Sequence, residues 1–291
     1  MLSIDPKQIA PAKLQGYLQS AVAPRPIAFA STLDKYGNPN LSPFSFFNVF
    51  SSNPPILIFS PARRVRDNTI KHTLINSQKT GEVVINVVNF DIVQQMSLSS
   101  TEYPDGVNEF EKAGFTMLPS DIVKPFRVAE SPVQFECKIN EIIALGNQGG
   151  AGNLVICEVV KIHIDEAVLD ASGMIDQHKI DLVARMGGNW YSRSNVGMFE
   201  VEKPLTTLGV GVDMVPDFVL DCGYFDGNDL GKLGNIENIP TEEEIAIFVK
   251  TNFEVKAVLS ADDSDKKYQK AKEYLDNGRV LEAWKLLLAK K

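Results

Sequence analysis

Two neighbouring stretches carry residue types that could do chemistry. The first, Asn40 to Pro55, reads N-L-S-P-F-S-F-F-N-V-F-S-S-N-P-P and runs into the apolar segment Ile56-Leu57-Ile58-Phe59. Its four Phe stand among seven Ser or Asn, which is too polar for a core strand and too aromatic for a surface loop. Such a wall offers apolar surface and small hydrogen-bonding groups, which suits a flat ligand with polar edges. The second stretch follows directly: Ser60-Pro61-Ala62-Arg63-Arg64, then Lys71-His72-Thr73-Leu74-Ile75-Asn76. Hydroxyls, a lysine and arginines at a loop and helix start give charge-assisted donors and a positive dipole end. Those are the needs of a phosphate monoester. Taken singly, each stretch has a plain structural alternative: a strand with a serine-rich turn, and a solvated basic turn.

The elements that must position these groups are mostly strands. Residues 7 to 22 are mildly helical until Ala23-Pro24-Arg25-Pro26 interrupts them. Ile27 to Leu33 reads as a strand, and Asp34 to Asn40 as a turn in which Gly37 and Asn38 tolerate positive φ. Asp67 or Asn68 is expected to cap a helix through about Lys79, ended by Gly81. Glu82 to Val88 is rich in valine, and short helices are expected at Ile92 to Ser99 and Asn108 to Ala113. Ser131 to Leu145 alternates, with Val133, Phe135, Cys137 and Ile139 on one face and Gln134, Glu136, Lys138 and Asn140 on the other. Leu154 to Ile164 is a further strand, and Asp176 to Arg185 gives two short β-like pieces around His178 and Leu182.

Strands joined by short turns, without regular β-α-β alternation, favour an antiparallel barrel or sandwich over residues 1–199. Residues 200–291 read as a helix-rich extension, linked through Pro204 and Gly209-Val210-Gly211. In it Asp226-Gly227-Asn228 signals a turn, and Thr241 and Glu244 stand at capping-box spacing. Asp265 to Asn277 is helical, and Val280, Leu281, Trp284, Leu287 and Leu288 form an apolar stripe. That stripe is expected to pack against the barrel or a second subunit.

The 291 residues carry a net charge of −8, which argues against a nucleic-acid binder. No apolar run approaches membrane-spanning length, and no basic region precedes an apolar one at the N-terminus, so a cytoplasmic protein is expected. Cys137, Cys157 and Cys222 read as reduced thiols without a metal or disulfide pattern. Gly146 to Asn153 joins two β segments and reads as a hairpin loop, placed where it can cover a ligand, rather than a dinucleotide fingerprint. His163, with Asp165 nearby, reads as a surface strand end, and no metal site is expected.

Together the aromatic wall and the phosphate grip meet the requirements of flavin mononucleotide (FMN). The motifs N-L-S-P-F-S-F-F-N-V-F-S-S-N-P-P-I-L, the preceding P-R-P-I-A, and K-H-T-L-I-N followed by G-E-V-V-I-N make the resemblance specific. Residues 20 to 195 resemble the flavin reductase-like, FMN-binding split-barrel family that includes flavoredoxin. The resemblance implies a six-stranded antiparallel Greek-key barrel, a homodimer, and FMN near the dimer interface. It also implies hydride transfer from NADH or NADPH to flavin. Alternatives on the same barrel are a flavoredoxin-like electron carrier and a flavin-dependent monooxygenase or other substrate oxidoreductase.

Carried over by position, Ser45, Phe46, Phe47 and Asn48 line the ring, with Ser51 and Ser52 beside it. Ser60, Arg63, Lys71 and Thr73 hold the phosphate, and Arg25 reaches the ring or a neighbouring acceptor. Many family members have Asp where this chain has His72, which leaves the role of that position open. Arg185 to Tyr191 resembles the family's closing segment, with Trp190 or Tyr191 either covering the flavin or packing in a core or interface. No side chain is expected to act as a general acid or base.

Overall fold

The apolar runs of the N-terminal two thirds become one antiparallel sheet. In a computed structural model of the chain, which describes residues 1–201, 208–261 and 263–290, seven strands align. They are β1 (Ala28–Leu33), β2 (Pro39–Phe44), β3 (Phe47–Ser52), β4 (Pro55–Phe59), β5 (Glu82–Val87), β8 (Val133–Ala144) and β9 (Asn153–Ile164). Their order is β2-β1-β5-β8-β9-β4-β3. Two small pairs stand apart: β6 (Met117–Leu118) with β7 (Arg127–Val128), and β10 (Val183–Arg185) with β11 (Tyr191–Arg193). The resemblance implied six strands; the seventh arises because the Asn40–Pro55 stretch divides into β2 and β3.

β2 and β3 are the two edges of this sheet, yet only Ser45 and Phe46 separate them. So short a link spans roughly 10 Å at most. The sheet therefore curls until its edges meet at that end, giving a Greek-key barrel split between β2 and β3. One face of the strands fills the interior: Ala28, Ala30, Val83, Ile85, Cys137, Cys157 and Phe59 are buried in one cluster. Leu74 of α2 (His72–Thr80) joins them. β1 is buried on its other face too, where Phe29 packs with Met96 of α3 (Val93–Leu98) and Phe110 of α4 (Glu109–Ala113).

Several expectations need correction. The helix expected to start at Asp67 or Asn68 starts at His72, with Lys71 at a cap position that makes no side-chain bond. Asp67 instead accepts from the Thr69 backbone N–H at 3.0 Å and from its hydroxyl at 2.6 Å, and Asn68 adopts φ 59°. That local turn uses up the capping carboxylate before a helix can begin. The helix does end at Gly81, with φ 69°. The β-like piece around His178 is a single helical turn, α5 (Gln177–Ile180), because Asp176 accepts from the N–H groups of His178 and Lys179. Ahead of the barrel, α1 (Pro11–Ala21) has no buried residue.

The polar face expected for β8 is solvated at Lys138 and Asn140 but buried at Gln134 and Glu136. Glu136 is fully buried and accepts from the backbone N–H groups of Asp121 at 2.8 Å, Ile122 at 2.7 Å and Val123 at 3.0 Å. His163, expected at a free strand end, meets the same carboxylate at 2.6 Å. Burial alone would raise the Glu136 pKa; the N–H bonds and His163 outweigh it and hold it at about 2.

The chain divides into two compact units, Met1–Met198 and Phe199–Lys291. Pro204, read above as part of the link, lies outside the described residues. The second unit is helical: α6 (Asp217–Leu220), α7 (Gly227–Gly234), α8 (Glu242–Thr251), α9 (Phe253–Ser260), α10 (Ser264–Asp276) and α11 (Val280–Leu288). Asp226-Gly227-Asn228 is a helix start rather than a turn, because Asp226 and Asp229 form a capping box. The capping box of Thr241 and Glu244 is present as expected. The stripe on α11, apart from the exposed Leu281, packs inside its own unit: Trp284 is buried beside Tyr274 and Leu233, and its Nε1–H donates to the Leu233 carbonyl at 2.9 Å. No helix among the described residues is long and apolar enough to cross a membrane.

Glu136 yields a stability prediction. Its lowered pKa contributes stability that is present above the ordinary carboxylate range and is lost as pH falls toward about 2. Glu136→Ala removes the acceptor of three N–H groups; that of Val123 is buried and left unpaired at about 1–3 kcal/mol, while those of Asp121 and Ile122 are part-buried and can turn to water at a smaller cost. Urea unfolding at pH 7 should show a loss of at least about 1 kcal/mol, and the difference from wild type should shrink as the pH is lowered toward 3.

Candidate functional site

The end of β2, beside the split, opens into a cleft of about 430 Å³. Its floor is Pro43 and Phe44, where the buried Phe44 ring lies 5.4 Å from that of Phe59. Ser45 and Phe46 follow as the link between the edge strands, and Arg63, Arg64 and Lys71 close the cleft. Gln15 and Gln19, four residues apart on α1, also line it, as do Ala62, Val65 and Arg66. A smaller adjoining cavity of about 110 Å³ shares Lys71 and Arg64 and adds Asn40, His72, Thr73 and Glu109. Aromatic floor and cationic end thus belong to one continuous surface.

Lys71 is the electrostatic centre of this surface. Its ammonium lies 5.0 Å from the Phe44 centroid. Burial lowers its pKa, and the nearby Arg64 lowers it further. Arg64 is paired with Glu102 at 3.0 Å, but among the described residues no carboxylate comes within ion-pair distance of Lys71. Lys71 also caps α2 without a side-chain bond, so the first N–H groups of that helix have no capping acceptor. An uncapped helix start beside an unpaired ammonium is a place where an anion relieves both costs. Below it, the buried Glu109 accepts from the Leu41 N–H at 3.0 Å, and burial raises its pKa.

A buried amide network fixes α2 in this position. Asn40 donates to the Thr73 hydroxyl at 2.9 Å, and Asn76 donates to the Thr32 hydroxyl at 3.1 Å. The Arg63–Val65 turn is held from the other side by the β8–β9 hairpin loop. The Arg63 N–H donates to the Ala151 carbonyl at 2.8 Å, and the Gly150 N–H to the Arg63 carbonyl at 2.9 Å. A Cβ on Gly149 would stand 3.0 Å from the carbonyl oxygens of both Arg64 and Val65. The glycines of that loop therefore permit close backbone contact under the cationic turn.

The structure brings Ser45, Phe46, Arg63 and Lys71 into one cleft, with Thr73 in the adjoining cavity. Thr73 is buried and accepts from Asn40. Arg25 is buried under the cleft; it donates to the Ser45 hydroxyl at 3.4 Å, to the Met186 carbonyl at 3.0 Å, and to the carbonyls of Gln19 and Val22. Ser60 lies outside the cleft: its hydroxyl accepts from the Asn153 N–H at 3.1 Å. Phe47 packs on the barrel core, while Asn48 and Ser51 sit on the edge strand β3 and line neither cavity. Arg63 is partly committed, donating to the Asn68 side chain at 2.6 Å and its carbonyl at 2.8 Å. Sequence reasoning missed Gln15, Gln19 and Glu109; the spacing of the two glutamines on a helix that buries nothing was the available signal.

Comparison with known proteins matches this architecture. The flavin reductase like domain family matches residues 20–181. An uncharacterised protein of Halalkalibacterium halodurans is 35% identical over 205 residues, covering 70% of this chain and 97% of its own length. The crystal structure of nitrilotriacetate monooxygenase component B from Bacillus cereus superposes with a TM-score of 0.64 at 28% identity. That match covers 69% of this chain and 98% of the other. A Shewanella frigidimarina protein with a split barrel domain gives 0.58 at 26% identity, over 70% and 99% of the two chains. Each relative is thus accounted for almost in full by about 70% of this chain. With the split barrel, the cleft beside its open seam and the family match in agreement, the chain belongs to the flavin reductase-like family.

Proposed function

We propose that this chain binds FMN in the cleft at the barrel's split and passes hydride from NADH or NADPH to flavin. The observation that carries this reading is Lys71, an unpaired, half-buried ammonium at an uncapped helix start, sharing a cleft with an aromatic floor. The residues fit the group. Lys71, Thr73 and the Arg63–Arg64 turn would hold the phosphate, and Ser45 and Phe46 would border the ring, with Arg25 fixing Ser45 from below. When bound, FMN supplies a two-electron carrier that accepts hydride from a nicotinamide. The chain's own part is to orient the ring against Phe44 and Phe46, keep water off one face, and neutralise the phosphate. Its compartment in this reading is the cytoplasm.

The same reading makes the protein a homodimer. β3 is a free sheet edge, and its Val49 and Phe50 are 65% and 63% exposed. Edge strands with apolar faces are usually covered. A second copy seated there would also bring Asn48 and Ser51 to an enclosed surface.

An anaerobic absorbance titration with FMN, then NADH and NADPH, tests the activity. Flavin bands should shift on binding and bleach on adding the donor; binding without bleaching favours an electron carrier, and no binding removes the proposal. Lys71→Ala and Thr73→Ala should weaken FMN binding tenfold or more on the usual scale of a charge-assisted hydrogen bond, about 1.5–3 kcal/mol, and riboflavin binding much less. Because burial lowers the Lys71 pKa in the free protein, FMN affinity should fall as pH rises through that lowered value. Riboflavin affinity should not follow it. For the dimer, light scattering should report two copies in wild type and one after Val49→Glu with Phe50→Glu.

A further inference from the structure

A second cavity, of about 360 Å³, shares Pro43, Phe44 and Ser45 with the cleft but is closed by other residues. Met96 and Ser100 come from α3 and its end, and Arg185, Asn189 and Tyr191 from the β10–β11 hairpin. Lys71, Arg63 and Arg64 do not line it. Its walls are mixed: apolar and aromatic surface from Phe44, Met96 and Tyr191, and hydrogen-bonding groups from Ser45, Ser100 and Asn189.

Arg185 is the unexplained group. Its guanidinium stacks on Tyr191, with its central carbon 4.6 Å from the ring centroid. Among the described residues, that guanidinium has no hydrogen-bond acceptor and no carboxylate within ion-pair distance. Its backbone exchanges hydrogen bonds with Arg25, at 3.0 and 2.8 Å. Arg25 in turn spends its own donors on the Ser45 hydroxyl and three carbonyls, and among the described residues no carboxylate is paired to it either. Burial and the charge on Arg185 together lower the Arg25 pKa, so the two cations feel one another. Two adjacent guanidinium groups with no counter-ion among the described residues leave a positive cavity, and of the two it is Arg185 whose donors have no acceptor there. A planar guanidinium stacked on an aromatic ring is preorganised for bidentate contact with a carboxylate or phosphate.

We propose that this cavity takes a small, flat organic anion, its charged group held by Arg185 and Asn189 and its planar body against Tyr191 and Phe44. Lying beside the proposed FMN cleft, it would seat the molecule that reacts with the flavin; only that role rests on the FMN reading, and binding itself does not. Ligand-observed saturation-transfer NMR on the full chain, with and without FMN, tests it. The anionic probes are benzoate and nicotinamide mononucleotide, and the neutral counterparts are benzamide and nicotinamide. At least one anionic probe should bind, at least tenfold tighter than its neutral counterpart, and FMN should leave it bound. Arg185→Met should weaken that probe tenfold or more and Arg185→Lys should restore part of the affinity, while Lys71→Met should change it less than twofold. Benzoate alone would assign an organic acid, and the mononucleotide alone a nucleotide phosphate. No anionic binding, equal binding of charged and neutral probes, indifference to both Arg185 variants, or displacement of the probe by FMN would overturn the proposal. Failure of wild type to bind FMN would sink the flavin reading, and the probe comparison on the ligand-free protein would still decide this one.

Discussion

The two-residue link between β2 and β3 is the constraint on which the rest depends. A seven-stranded antiparallel sheet has two free edges, and here consecutive strands form them. The link pulls those edges together at one end without pairing them. The barrel is thus closed by covalent connection where hydrogen bonds are missing. The residues at that seam, Phe44 to Phe47, serve barrel core, cleft floor and link within four positions.

Around the seam, polar groups are placed by buried bonds rather than by exposure. Asn40, Thr32, Asn76 and Thr73 fix the start of α2, which sets Lys71. Arg25 ties the end of α1, the Met186 carbonyl and Ser45 to one guanidinium. The Asn40–Thr73, Asn76–Thr32 and Arg25–Met186 contacts join segments far apart in sequence, so the cleft forms only when the barrel does. Buried polar networks of this kind are costly when half made and specific when complete. Lys71, with no carboxylate at ion-pair distance among the described residues, is the exception; burial first and the nearby Arg64 second lower its pKa.

Much of the barrel was legible because period-two alternation marks strands, and Gly81, Gly114 and the glycine-rich 146–152 loop mark where elements stop. The seam itself was visible as an odd mixture of Phe, Ser and Asn, but its division into two edge strands was not, since pairing partners are long-range. Glu136 misled for the same reason: alternation assigns it to a polar face, and only the fold brings the 121–123 backbone to its carboxylate. In the site, Lys71 and Arg63 were readable from charge and position. Ser60, expected beside them, does not line the cleft, and its hydroxyl accepts from the Asn153 N–H, 93 residues away. Unit Phe199–Lys291 gave up its capping box and last helices readily, while α9 was missed as a direct continuation after α8.

The glycine-rich hairpin loop has a wider consequence. β8 and β9 are the longest strands, twelve residues each, and run roughly 40 Å. Their tip underlies the Arg63–Val65 turn, so one surface loop is mechanically part of a cationic site eighty residues earlier in the chain. Loops ordinarily absorb insertions and drift freely. This one is a fitted spacer: lengthening it, or replacing Gly149 by any larger residue, would tilt the cationic turn without touching a charged group. Divergence within such a barrel would then be expected to spare this tip while the opposite ends of the hairpins vary.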